Sequence, residues 1–213
     1  HQIDIIAITD HNASANVLAV QKAAHGTPLK VLAGMEVQSR EDVHLLCLFE
    51  NIETLNHWQS AVDNALPDIP NNAEYLGEQF VVDESGEFIR SEPRMLLTST
   101  HFSIEEIFER VNALGGLVIP AHVDRISYGL FPTLGLLSDQ WPILALEISR
   151  HLTPEKAVVT YPFIKGIPLI QDGDVHQLDQ FLGTTIFTLA EPTLAEIKLA
   201  FMGQNLRTVN IES

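Results

Sequence analysis

Cysteine is nearly absent, with Cys47 alone among 213 residues. A disulfide framework and a thiolate zinc site each need several thiols, so both are excluded. Cys47 sits in the apolar run His44-Leu-Leu-Cys-Leu-Phe49, where a buried inert thiol is the default reading. Positive charge is scarce too. The 12 Lys and Arg face 28 Asp and Glu, giving a formal charge of −16. Such a surface repels nucleic-acid backbones, so nucleic acid is an unlikely partner on charge alone. An anionic substrate then needs local positive charge, and bound cations are one source of it. No apolar stretch approaches the length of a membrane span and no secretory signal is visible, so no membrane association and a cytoplasmic location are expected. Repeats, low-complexity tracts and interdomain linkers are missing as well. What the chain does have is 46% apolar residues against 19% charged, ample material for a globular core.

The first residue is not Met. A translated chain starts with Met, and its removal normally requires a small residue behind it, which His1 is not. Residues preceding His1 are therefore expected in the natural protein.

Apolar runs predict strands over 3–9, 30–37, 43–49, 117–121, 143–148, 167–171, 184–189 and 206–209. Helices are predicted over 14–25, 53–65, 103–114 and 193–202, with another starting at Thr153-Pro154. Two of them open on capping boxes, Ser103-Ile-Glu-Glu106 and Thr193-Leu-Ala-Glu196. The alternation of strand and helix implies an α/β domain with a mostly parallel sheet, one unit over 1–213. Residues 66–100 break the alternation and read as an insertion, with a β-hairpin around Glu84-Ser-Gly86.

Five strand ends carry a His, Asp or Glu: Ile8-Thr-Asp-His-Asn12, Leu32-Ala-Gly-Met-Glu36, Val118-Ile-Pro-Ala-His122, Leu146-Glu-Ile-Ser-Arg150 and Leu169-Ile-Gln-Asp-Gly-Asp-Val-His176. In parallel α/β folds ligands bind at the carboxyl ends of strands, so residues far apart in sequence can converge there. Neutral imidazoles and carboxylates suit zinc, manganese and iron. A carboxylate such as Glu36 can bridge two ions, which together grip a phosphoryl oxygen and activate a water. Each residue also has a plainer reading. His11 can cap the helix that follows, Asp174 can shape an Asx turn, His122 can be a satisfied core histidine, and His44 merely begins a strand. His25 and His57 read as surface or helix-end residues, while His101 and His151 stay open.

Taken together, these motifs resemble the PHP (polymerase and histidinol phosphatase) family over most of the chain and in the right order. Ile6-Ala-Ile-Thr-Asp-His11 is similar to its "IAITDH", Gly34-Met-Glu36 to its "GxE", and His44-Leu-Leu46 to its "HLL". Ala121-His122 is similar to "AHP" with Val123 replacing Pro, and Asp174-Val-His176 to "SDAH" with Gly173 replacing Ser. The resemblance implies a distorted (β/α)7 barrel that binds two or three divalent cations. It implies Glu36 as the bridging ligand, His44 and His122 at one ion, His11 and His176 at another, and Asp174 beside the bridged pair. The activity implied is hydrolysis of phosphate esters, with a small phosphorylated substrate as the leading reading. Arg125, three residues past His122, is the candidate phosphate clamp and Arg150 a second. Asp10 is the candidate that orients a ligand.

One family motif, "HxH" at the end of the first strand, has no counterpart here. The first strand and its ligands are therefore expected to be missing, leaving an exposed edge strand that favours association into oligomers. A nuclease acting on single-stranded ends and a degenerate metal-binding barrel without activity are the alternative readings.

Overall fold

The computed structural model describes residues 3–212. Its strands are β1 (Ile5–Ile8), β2 (Lys30–Gln38), β3 (His44–Phe49), β4 (Phe80–Val82), β5 (Phe88–Ser91), β6 (Leu117–Pro120), β7 (Leu146–Glu147), β8 (Leu169–Ile170), β9 (Thr185–Thr188) and β10 (Thr208–Ile211). Its helices are α1 (Val17–Ala23), α2 (Ile52–Ala65), α3 (Ala73–Leu76), α4 (Ile104–Ala113), α5 (Leu130–Leu134), α6 (Pro154–Thr160) and α7 (Leu194–Phe201). The fold is α/β, as the alternation implied. None of these helices is long and apolar enough to cross a membrane.

The sheet is less parallel than expected. The largest sheet runs β1-β2-β3-β6, with β1 parallel to β2 but β3 antiparallel to both β2 and β6. The reason is local: only residues 39–43 join β2 to β3, too few for a crossover, so the two strands form a hairpin. Among the described residues the strands do not close into a hydrogen-bonded barrel. They form this sheet and three two-stranded pieces, β4-β5, β7-β8 and β9-β10. The predicted strands over 143–148 and 167–171 shrink to β7 and β8, because their parallel pairing lasts only two residues.

Side chains alternate across the large sheet. Leu45, Cys47 and Phe49 of β3 join Met35, Trp58 and Ile107 in a core beneath the outer helices. Leu46 and Leu48 point the other way, into a second core with Leu32, Ile119, Ile197 and Phe201. The same alternation places Glu36 two positions beyond Gly34 on this inner face, and His44 two positions before Leu46. Gly34 has no alternative there. A Cβ would meet Leu48 Cδ2 at 2.8 Å, Thr9 Cγ2 at 2.9 Å and the Ile8 carbonyl oxygen at 3.0 Å. Glycine lets β1 and β3 close on either side of Glu36.

Both capping residues work as read. Ser103 Oγ accepts from the Glu106 amide and Glu106 returns the bond to the Ser103 amide. Thr193 Oγ1 accepts from the Glu196 amide, but the Glu196 carboxylate turns instead to the Ala190 amide and Arg207.

The 66–100 segment does contain the expected hairpin, β4-β5, and two asparagines, Asn12 and Asn16, tie the segment down. Asn12 is fully buried at φ 49°, a conformation that Asn tolerates better than most residues. Its Nδ2 donates to the Leu96 and Thr98 carbonyls, both at 2.8 Å, while Oδ1 accepts from the Gln38 amide at 3.2 Å. Asn16 Nδ2 donates to Asp10 Oδ2 at 3.0 Å and to the Phe80 carbonyl at 3.1 Å, and its Oδ1 accepts from the Val82 amide at 3.0 Å.

Candidate metal centre

Glu36 lies near the end of β2 on its inner face and is 4% exposed. Its Oε2 lies 2.9 Å from His11 Nδ1. Its Oε1 lies 3.3 Å from both His44 Nδ1 and His122 Nε2. Three imidazoles thus converge on one buried carboxylate. His11, Glu36 and His44 present ligand atoms within 4.8 Å of one another, a spacing that a single cation can span.

The antiparallel turn of β3 explains the membership of His44. It begins its strand, yet it pairs with Gln38 at the end of β2, so it arrives at the edge where the neighbouring strands finish. His122 follows β6 at φ 29°, a strained conformation of the kind that clusters at functional sites. The Tyr128 ring stacks on His44 with centroids 4.5 Å apart and planes 2° off parallel, and the Tyr128 carbonyl accepts from the His44 amide at 3.0 Å.

Several buried atoms here lack a hydrogen-bond partner among the described residues: His44 Nδ1, both ring nitrogens of His122 and Glu147 Oε1. An unpaired buried imidazole nitrogen is costly, and the 3.3 Å approaches to Glu36 lack hydrogen-bond alignment. A cation at Glu36, His44 and His122 would satisfy all three side chains at once. The donor set therefore fits a divalent metal ion.

The second wall comes from the loop after β8. Asp174 pairs with Arg125 through its Oδ2, and its Oδ1 lies 3.6 Å from His176 Nδ1. His176 is largely exposed, with its ring centroid 6.4 Å from that of His11. The structure thus brings together His11, Glu36, His44 and His122 tightly, with Asp174 and His176 beside them on a more open flank.

Arg150 sits elsewhere than a free phosphate clamp would. Its Nη2 donates to the Gly173 carbonyl at 2.7 Å and the Gln180 carbonyl at 2.9 Å, bracing the loop that carries Asp174. Arg125 remains at the site mouth, held by Asp174. The Asp10 carboxylate meets Asn16 rather than an imidazole, and its carbonyl accepts from the Glu36 amide at 3.2 Å.

Glu147 had a place among the strand ends but no role. It is 2% exposed; its Oε2 accepts from the His122 amide at 3.0 Å, and its carbonyl from the Val123 amide at 2.9 Å. Only the tertiary fold reveals that contact, since the partners lie 25 positions apart. Burial, then the neighbouring Asp172 carboxylate and Glu36, push the Glu147 carboxyl well above the usual range, against the pull of the His122 amide.

Charge in the cluster is uneven. Burial opposes ionisation of Glu36, but the imidazoles of His11, His122 and His44 outweigh it and hold the carboxyl well below the ordinary range. Burial also disfavours the His11 cation, yet Glu36, Asp174 and Asp10 prevail and raise its pKa above 6.5. For His44 burial wins, and its pKa falls below 6.5. In the metal-free protein the His11 contribution to stability is full below pH 6.5 and is lost as pH rises through the raised value. The His44 contribution has the opposite sign, present above pH 6.5 and lost as pH falls through the lowered value. A metal ligand must be a neutral imidazole, so a cation has to displace the His11 proton. Cation affinity is therefore expected to climb as pH rises from 6.5 through the raised His11 value, with proton release seen calorimetrically in buffers of different ionisation enthalpy. Affinity independent of pH across that window would contradict it.

A cavity of about 940 Å³ opens below the cluster. His11, Glu36, Glu147 and Asp174 line it, together with apolar residues that include Leu46, Ile119 and Phe201 and Ile5 and Ala7 of β1.

Solved structures share this fold. The lesion-specific endonuclease PfuEndoQ from Pyrococcus furiosus matches 97% of the chain at TM-score 0.69 and 19% identity. Endonuclease Q in complex with a 27-mer duplex substrate carrying an abasic lesion at the active site matches 85% at TM-score 0.63 and 22% identity. A protein from Bifidobacterium adolescentis assigned as a metal-dependent phosphoesterase matches 81% at TM-score 0.52 and 18% identity, over 76% of its own length. The chain spans only 49% and 42% of the two endonuclease Q chains. No protein-family model matches the sequence, and no curated protein does. The shared α/β fold agrees with the PHP-type resemblance of the motifs.

Proposed function

We propose that this protein hydrolyses phosphate esters at a cluster of two or more divalent cations. The observation that carries the reading is the convergence of His11, His44 and His122 on the buried Glu36 carboxylate, with unpaired imidazole nitrogens around it. Glu36, His44 and His122 would hold one ion, and His11, His176 and Asp174 a second, with Glu36 shared. Bound there, such ions supply a water acidic enough to ionise near neutrality and positive charge for the phosphoryl oxygens. The strands β1, β2, β3, β6, β7 and β8 would form the wall of a distorted barrel around them, with the β4-β5 hairpin lying outside it.

The remaining residues position and bind. Arg125 offers its guanidinium to a phosphate oxygen in competition with Asp174, so substrate must displace an existing pair. Arg150 orders the Asp174 loop and touches no substrate. Asp10 steadies β2 at Glu36 and, through Asn16, the hairpin beside it. Tyr128 and the burial of His44 and His122 keep bulk water off the inner ion.

A small phosphomonoester remains the leading substrate, because the −16 charge disfavours a long polyanion. The fold likeness to endonuclease Q favours a second reading, cleavage of a phosphodiester in DNA. The test loads the purified protein with manganese or zinc and follows phosphate release from monoesters and cleavage of an oligonucleotide. Turnover that disappears on chelation and returns with added metal is expected. Full turnover after chelation, or bound metal with no cleavage of either substrate, rejects the reading.

A further inference from the structure

The mouth of the cleft carries a feature that the metal chemistry does not use. Phe80 is 54% exposed and Phe88 61%, and their rings meet edge to face with centroids 5.5 Å apart. Water-exposed aromatics at a loop tip are ordinary; these two are held in place. Phe80 lines the same cavity as His11 and Glu36. Asn16 grips the Phe80 carbonyl and the Val82 amide, and the same side chain holds Asp10, the residue before His11. Asn12, the residue after His11, holds the Leu96 and Thr98 carbonyls, and Leu97 between them is also exposed on the cavity rim. The aromatic rim is thus bolted to both sides of a metal-ligand histidine.

The charges around this rim offer little to an anion. Arg90 and Arg94 of the same segment are engaged by Glu92 and Asp63, at 2.9 Å and 2.7 Å. Affinity for the part of a substrate lying here has to come from an uncharged contact. A rigid exposed ring supplies one by stacking on a planar group, at little entropic cost.

We propose that Phe80, backed by Phe88, stacks on the base of a nucleotide whose phosphate ester lies at the Glu36 cluster. The inference rests on the phosphoesterase reading and names its substrate class. The base occupies the rim, and the sugar spans from there to the cations. A free nucleotide and the end of a single strand share this chemistry.

The test compares two phosphates that differ only in the base, thymidine 5′-monophosphate and 2-deoxyribose 5-phosphate, on the full chain loaded with manganese. Binding is read by calorimetry and turnover by phosphate release. The nucleotide is expected to bind about tenfold tighter, the usual worth of one stacked base. Phe80→Ala should erase the difference between the two ligands, and Phe80→Trp should restore it. Phe80 is exposed, so neither variant threatens the fold. A 5′-phosphorylated trinucleotide distinguishes the sources: tighter binding than the mononucleotide assigns a strand end, equal or weaker binding a free nucleotide. Equal affinity for the two small phosphates, unchanged in Phe80→Ala, overturns the proposal even when both are hydrolysed. A base preference lost in Phe80→Ala without any hydrolysis upholds stacking and rejects the phosphoesterase reading. A change of sedimentation in Phe80→Ala with no change in base preference assigns the rim to a second copy of the chain and overturns stacking.

Discussion

Glu36→Gln is expected to strip the protein of its cations while leaving it folded. Both carboxylate oxygens are committed, Oε2 toward His11 and Oε1 toward His44 and His122. A glutamine fills the same volume but loses the charge, and its amide nitrogen cannot face a cation. Even a residue that merely supports a metal ligand contributes about 10–100-fold in affinity, so a shared ligand is worth at least about 100-fold. Phosphoester turnover should fall by at least the same factor. The metal-free fold behaves differently. A carboxylate 4% exposed is expensive to bury, and a neutral isostere removes that cost along with the favourable imidazole contacts. Those contacts outweigh the burial cost and hold the Glu36 carboxyl low, so without metal Glu36→Gln should melt below wild type near neutral pH while remaining folded. Elemental analysis, thermal melts with and without metal, and an ester assay read the three effects. Wild-type metal content in the variant would remove Glu36 from the centre.

Much of this centre was legible because its ligands sit at ends of apolar runs. Glu36 and His122 close such runs, and burial gives those ends few plain alternatives. His44 was the ambiguous one, since it starts a run instead of ending one. The short polar stretch at 39–42 held the answer: it is too short for anything but a hairpin, and a reversed strand begins where its neighbours end. The sheet was misread as mostly parallel for the same reason. Arg150 reads in sequence like a phosphate clamp, but two backbone carbonyls of the β8 loop take its guanidinium. The contacts of Asn12 and Asn16 with the 66–100 segment, 64 to 86 positions away, leave no periodic trace. Both residues look like helix-start asparagines, and nothing local distinguishes a cap from a clamp.

Glu147 carries the second large effect, and its two variants should separate positioning from charge. Its Oε2 takes the His122 amide, so it fixes the backbone of a residue strained at φ 29°. Glu147→Ala leaves that buried amide without an acceptor, at a cost of about 1–3 kcal/mol. It also frees His122 to relax away from Glu36, and cation affinity should drop about 10–100-fold. Glu147→Gln keeps an acceptor oxygen and should retain most of both. The pH dependence carries the other half. Burial and the Asp172 carboxylate raise the Glu147 pKa above 4.5, so the folded protein holds a proton that the unfolded chain releases. That contribution to stability is full below pH 4.5 and is lost as pH rises through the raised value. Metal-free wild type should therefore lose stability over that interval relative to Glu147→Gln, which has no such proton to give up. Denaturant titrations of both proteins at several pH values measure the difference directly. Parallel curves would mean that Glu147 is ionised in the fold. Equal metal loss in the Gln and Ala variants would mean that its charge, not its grip on His122, serves the centre.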